Sequence, residues 1–132
     1  MKHYMLDTNM VSHLLKAHPA VVNRVVSAPM AALCISAITE GEIFFGLAKR
    51  PQAKRLQRAV QELLRRVDVF PWDGAAAECY GTLRAGMERH GLILAPLDLL
   101  IAAHASAVGA VLVTDDQAFY QVSNLQVEDW TK

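Results

Sequence analysis

In Met5-Leu6-Asp7-Thr8-Asn9 a hydrophobic strand runs out on an acidic residue. His3-Tyr4-Met5-Leu6 is strand-compatible, and Asp7-Thr8-Asn9 brings helix-capping chemistry just before the Met10, Val11, Leu14, Leu15 pattern of an amphipathic helix. Asp7 therefore falls at the carboxyl end of a first strand. In open α/β sheets ligands bind at that edge, because loops and helix N-termini leave a crevice there. On position alone Asp7 is as much a helix cap as a ligand, and the two roles are compatible.

Downstream, the same alternation repeats. Residues 8–16 read as a helix and 19–26 as a second, with Pro19 at its first turn. The apolar run 32–36 is of buried-strand type, and Ser36 leads into a helix over 37–48. Pro51 opens a predicted helix to residue 66, with Leu56, Val60, Leu63 and Leu64 on one stripe. A strand over 67–70, a helix capped by Asp73 and ended by His90-Gly91, and a helix that follows Asp98 and stops at Gly109 come next. The strand 110–114, a helical turn at 118–120 and an edge strand over 125–128 complete the pattern. Five strands separated by helices predict an α/β fold, a three-layer α/β/α sandwich with a mainly parallel five-stranded sheet, over residues 1–132 as a single domain.

Composition narrows the function classes. Of 132 residues, 53% are hydrophobic and 20% charged, which describes a packed globular protein rather than a disordered one. No run reaches the roughly 18 apolar residues of a membrane span, and the start of the chain lacks the charged and apolar regions of a secretory signal. A cytoplasmic protein with no membrane partner is expected. Cys34 and Cys79 each lie among apolar neighbours and far apart, as small buried hydrophobes, with no zinc-type spacing. The formal charge is zero, so net charge supplies no argument for a nucleic-acid partner. Its distribution is uneven, because seven of the thirteen basic residues fall between Lys49 and Arg66 against the single acid Glu62. Within that segment Lys49, Arg50, Lys54 and Arg55 are either a solvated helix face or a patch that positions RNA phosphates.

The carboxylates fall in places that topology brings together. Asp7, Asp115 and Asp116 follow predicted strands, while Glu42 and Asp98 lie in the early turns of apolar helices. Two carboxylates about 4 Å apart repel by roughly 4 kcal/mol at an effective dielectric near 20. A hard divalent cation relieves that repulsion, and oxygen-only ligands suit Mg²⁺ or Mn²⁺. Metal-assisted hydrolysis of a phosphodiester fits such a site. Thr8, Asn9, Ser36 and Thr114 adjoin the acids and either orient ligands and waters or cap helices. Glu40 lies two residues from Glu42, hence on another helix face. His104, on an apolar helix, reads as a packing residue, and His3, His13, His18 and His90 show no spacing that suggests metal binding or catalysis.

Four motifs in order carry a resemblance: Leu6-Asp7-Thr8-Asn9; Ser36-Ala37-Ile38-Thr39-Glu40-Gly41-Glu42-Ile43-Phe44-Phe45-Gly46; Asp98-Leu99-Leu100-Ile101-Ala102-Ala103-His104-Ala105; and Val113-Thr114-Asp115-Asp116. Together they resemble the PIN-domain ribonucleases of the VapC toxin type. The resemblance implies RNA cleavage at an acidic site that binds Mg²⁺ or Mn²⁺. It implies Asp7, Glu42, Asp98 and Asp116 as catalytic acids, with Asp7, Asp98 and Asp116 on the metal. The family's Thr-x-Asp pattern favours Asp116, and Asp115 is a supporting or alternative ligand. It further implies structured RNA, often transfer RNA, as substrate, a VapB-type antitoxin that covers the site, and a homodimer. By analogy, segments 10–15 and 21–26 and the early part of the 49–66 helix are candidate partner contacts.

Three other readings of the acids fit the pattern less well. A receiver-type phospho-acceptor needs adjacent acids early and a late lysine, whereas here the pair is late and no lysine lies between Lys54 and Lys132. A haloacid-type phosphatase needs a second aspartate where Asn9 stands. A silent RNA- or protein-binding module would keep the fold without needing all four acids.

Overall fold

The computed structural model describes residues 2–132. Its elements run β1 (Tyr4–Leu6), α1 (Thr8–Leu15), α2 (Pro19–Ser27), β2 (Leu33–Ser36), α3 (Ala37–Lys49), α4 (Lys54–Arg66), β3 (Asp68–Phe70), α5 (Gly74–Arg89), α6 (Pro96–Val108), β4 (Val111–Val113) and β5 (Val127–Glu128). Short 3₁₀ turns occupy Met30–Ala32 and Gln117–Gln121. The sheet order is β3-β2-β1-β4-β5, and every pairing is parallel. Strand order thus reverses at β1, the strand that carries Asp7 on its end, and a reversal of this kind opens a crevice at the carboxyl edge.

Side chains that alternate across the strands make two cores. Leu6, Leu33, Ile35 and Val113 face one side, where Met10, Val11, Val21, Val60, Leu63 and Trp130 cover them from α1, α2, α4 and the C-terminal segment. Met5, Cys34 and Leu112 face the other, packed under Met87 of α5, under Leu99, Ile101, Ala102 and Ala105 of α6, and under Phe119. Strands buried on both faces read as unbroken apolar runs because neither side meets water. The expected three-layer α/β/α sandwich with five strands is the fold observed, with all of its strand pairs parallel.

Local boundaries differ from the expectation in a few places. The helix expected from Pro51 starts at Lys54. Pro51 and Gln52 form a turn in which the Ala53 amide donates to the Arg50 carbonyl at 3.0 Å and Gln57 Nε2 donates to the Pro51 carbonyl at 3.0 Å. The apolar helix after Asp98 begins two residues earlier, at Pro96, whose fixed φ and missing amide suit a first helical position. Asp98 therefore sits inside the first turn, and Gly109 ends the helix at φ 69°.

Candidate active site

Asp7 is placed by two strands and one helix. Its amide donates to the Val113 carbonyl at 3.0 Å, which ties the end of β1 to the end of β4. Its Oδ1 accepts from the Met10 amide at 2.8 Å and caps α1. The residue is 2% exposed. Burial pushes its carboxyl up from 3.8 to about 6, the charges of Asp115 and Asp98 add to the rise, and bonds from the Thr114 hydroxyl and the Met10 amide oppose it. Cap and site acid are thus one residue.

Asp98, in the first turn of α6, shows the same cause. Burial raises its carboxyl above the usual range, and the charges of Asp116 and Glu42 raise it further. Asp7 thus feels Asp115 and Asp98, and Asp98 feels Asp116 and Glu42, across four separate segments. Thr114 is fully buried and accepts from the Asp116 amide at 3.0 Å, while Asp116 Oδ1 accepts from the Ala118 amide at 2.9 Å and caps the following 3₁₀ turn. These local bonds fix Asp116 on its loop.

Among the described residues, no three His, Cys, Asp or Glu side chains are drawn closely enough together to hold a metal ion as they stand. The donor set is all carboxylate oxygen, and buried Asp7 and half-buried Asp98 are both destabilised as anions. That chemistry suits a hard divalent cation.

The neighbouring polar residues divide. Thr8 Oγ1 donates to the buried Thr39 Oγ1 at 3.5 Å and links α1 to α3. Asn9 is exposed on the first turn of α1. Ser36 takes the second of its two readings and caps α3: its Oγ accepts from the Ile38 amide at 3.1 Å and also lies 2.7 Å from His104 Nδ1. His104 is 1% exposed, and burial lowers its pKa. It is the packing residue its sequence setting suggests, neutral and hydrogen-bonded. Lys49, Arg50, Lys54 and Arg55 are all exposed, and among the described residues none is ion-paired. Lys49 lies seven residues beyond Glu42 on α3, about 10 Å along the axis, with its Nζ 4.6 Å from the Phe45 ring centroid.

His13, whose spacing suggests neither metal binding nor catalysis, meets one of the acids. Its Nε2 lies 2.8 Å from Asp115 Oδ2, across 102 residues of sequence, and no local spacing signals such a pair. Thr39 was passed over too, since a hydroxyl one residue before Glu40 has no distinguishing pattern.

The PIN-domain family model matches residues 4–125. The tRNA(fMet)-specific endonuclease VapC of Shigella flexneri is 34% identical over 129 residues, covering 97% of this chain and 98% of the relative. Ribonuclease VapC2 of Rickettsia felis is 34% identical over 132 residues, at 98% of each. Among solved structures, DNA-bound VapBC from Salmonella typhimurium superposes with a TM-score of 0.91 at 32% identity, over 98% of this chain and 99% of that one. VapBC2 from Rickettsia felis, bound to a DNA fragment from its promoter, gives 0.86 at 32% identity, over 96% and 98%. With the same fold along its whole length and a buried acid at the strand-order reversal, this chain belongs to the PIN-domain family, among the VapC ribonucleases.

Proposed function

We propose that this chain is a metal-dependent endoribonuclease toxin whose catalytic acids are Asp7, Glu42, Asp98 and Asp116. The observation that carries the reading is the electrostatic meeting of these acids, with Asp115, at the carboxyl edge of the sheet. A Mg²⁺ or Mn²⁺ ion bound by Asp7, Asp98 and Asp116 would supply positive charge against the scissile phosphate and a more acidic bound water. The protein's part is to hold those oxygens still. Asp7 is pinned by the Met10 amide, Asp116 by Thr114 and Ala118, and Asp98 by the first turn of α6. Glu42 adds its charge from the second turn of α3.

Structured RNA is the substrate class, and transfer RNA is the first to try, because a relative of near-equal length is a tRNA endonuclease. Lys49, Arg50, Lys54 and Arg55 hold the RNA backbone at a distance from the acids, as unpaired exposed cations do. Similar structures are VapBC complexes, which supports a VapB-type antitoxin as partner. A homodimer of a single PIN-like domain working in the cytoplasm completes the proposal. Among the described residues no helix is long and apolar enough to cross a membrane.

The test is cleavage of a transfer RNA pool by purified protein. Products should appear with Mn²⁺, vanish with EDTA, and fall by at least about 100-fold with Asp7→Ala. Undiminished cleavage by that variant would remove Asp7 from the site.

A further inference from the structure

Asp115 and Asp116 are adjacent on the loop after β4, and the fold holds them in different ways. Asp116 is fixed from within its own loop, by the Thr114 hydroxyl and the Ala118 amide. Asp115 is held from outside it, by His13 in the last turn of α1. A carboxylate only accepts, so His13 Nε2 carries the proton and donates.

His13 is itself braced. The Ala17 amide donates to the Leu14 carbonyl at 3.0 Å and the His18 amide to the His13 carbonyl at 2.9 Å. These are the two bonds of a Schellman close, with Ala17 in the left-handed conformation at φ 60°. The chain reverses there and sets the His18 ring edge-on against His13, centroids 5.2 Å apart, while His18 Nδ1 accepts from the Val21 amide at 3.4 Å. Helix α1 thus carries Asp7 at one end and, near the other, the donor that fixes Asp115.

We propose that His13 is a positioning residue of the acid site: its Nε2–H holds Asp115 against the end of α1, so that Asp115 supports the site from a fixed place and Asp116 is the member of the tandem left to act with Asp98. The inference rests on the reading of these acids as a metal-holding site. Removing the donor frees Asp115 to swing among the other carboxylates, which adds repulsion and disorder to the ligand set. Loss of a residue that orients metal ligands typically weakens metal binding 10- to 100-fold.

Calorimetric titration of the full chain with Mn²⁺ tests this. His13→Phe, which keeps the ring and loses the donor, should bind about 10-fold more weakly, and His13→Gln, which keeps an N–H donor, should stay within about 2-fold of the native protein. The double variant His13→Phe with Asp115→Asn should be no weaker than Asp115→Asn alone, because His13 acts through Asp115. Native-like binding by His13→Phe, or additive losses in the double variant, would overturn the role. Asp7→Ala separates the two levels of the reading. If it loses Mn²⁺ binding while His13→Phe keeps it, only the positioning role fails; if it binds like the native protein, the site reading fails and the positioning role with it.

Discussion

Asp7 is held where a carboxylate is least comfortable, and that discomfort is measurable. A carboxyl raised from 3.8 to about 6 is destabilised as an anion by about 3 kcal/mol at neutral pH. The folded protein keeps this proton between pH 4 and 6 while the unfolded chain has released it, so the group's contribution is fully present below pH 4 and lost as pH rises through 6. Asn caps a helix about as well as Asp. Metal-free Asp7→Asn should therefore be more stable than the native protein at pH 7.5, by about 1–2 kcal/mol in urea unfolding. His104 works in the opposite sense, because burial lowers its pKa and the unfolded chain takes the proton first, so stability falls as pH drops below 6.5. With Asp7 replaced, the variant should lose stability more steeply on acidification than the native protein does. At this scale the sequence marks candidate acids by their positions and leaves their partners hidden. Asp7, Asp98 and Asp116 could be found because strand ends and helix starts are visible as patterns, whereas the His13–Asp115 pair depends on a tertiary meeting. Ser36 shows both sides of this: its capping of α3 is a local pattern, whereas its bond to His104 is a tertiary one with no local signal.

Elements were legible where two signals agreed and less so where one stood alone. The helix α6 had both an all-round apolar face and Gly109 to stop it, and only its start moved, to Pro96. The start of α4 rested on Pro51 alone, and the turn that accommodates this proline delayed the helix to Lys54. The close of α1 had no glycine to announce it, since Ala17 occupies the left-handed position that glycine usually takes. An L-residue there is strained by about 1–2 kcal/mol, partly offset by the lower backbone entropy that alanine brings to the unfolded chain. Ala17→Gly is therefore expected to stabilise the protein by roughly 0.5–1 kcal/mol in chemical denaturation. A loss of stability instead would mean that the alanine methyl makes contacts worth more than the strain.

For the whole molecule, an all-parallel sheet reversing order at β1 brings acids from four distant segments to one edge. This convergence was readable from the alternation of strands and helices, since topology alone sends strand ends and following helix starts to the same side. How closely the carboxylates approach one another was not, because that depends on side-chain placement rather than on pattern. The central claim is that these acids, and not some other group on the surface, perform the hydrolysis. Asp98→Asn tests it most directly, because the amide preserves shape and helix start while removing one charge from the set. The initial rate of Mn²⁺-dependent RNA cleavage by this variant should fall by at least about 100-fold with its far-ultraviolet spectrum unchanged; a native rate would contradict the assignment.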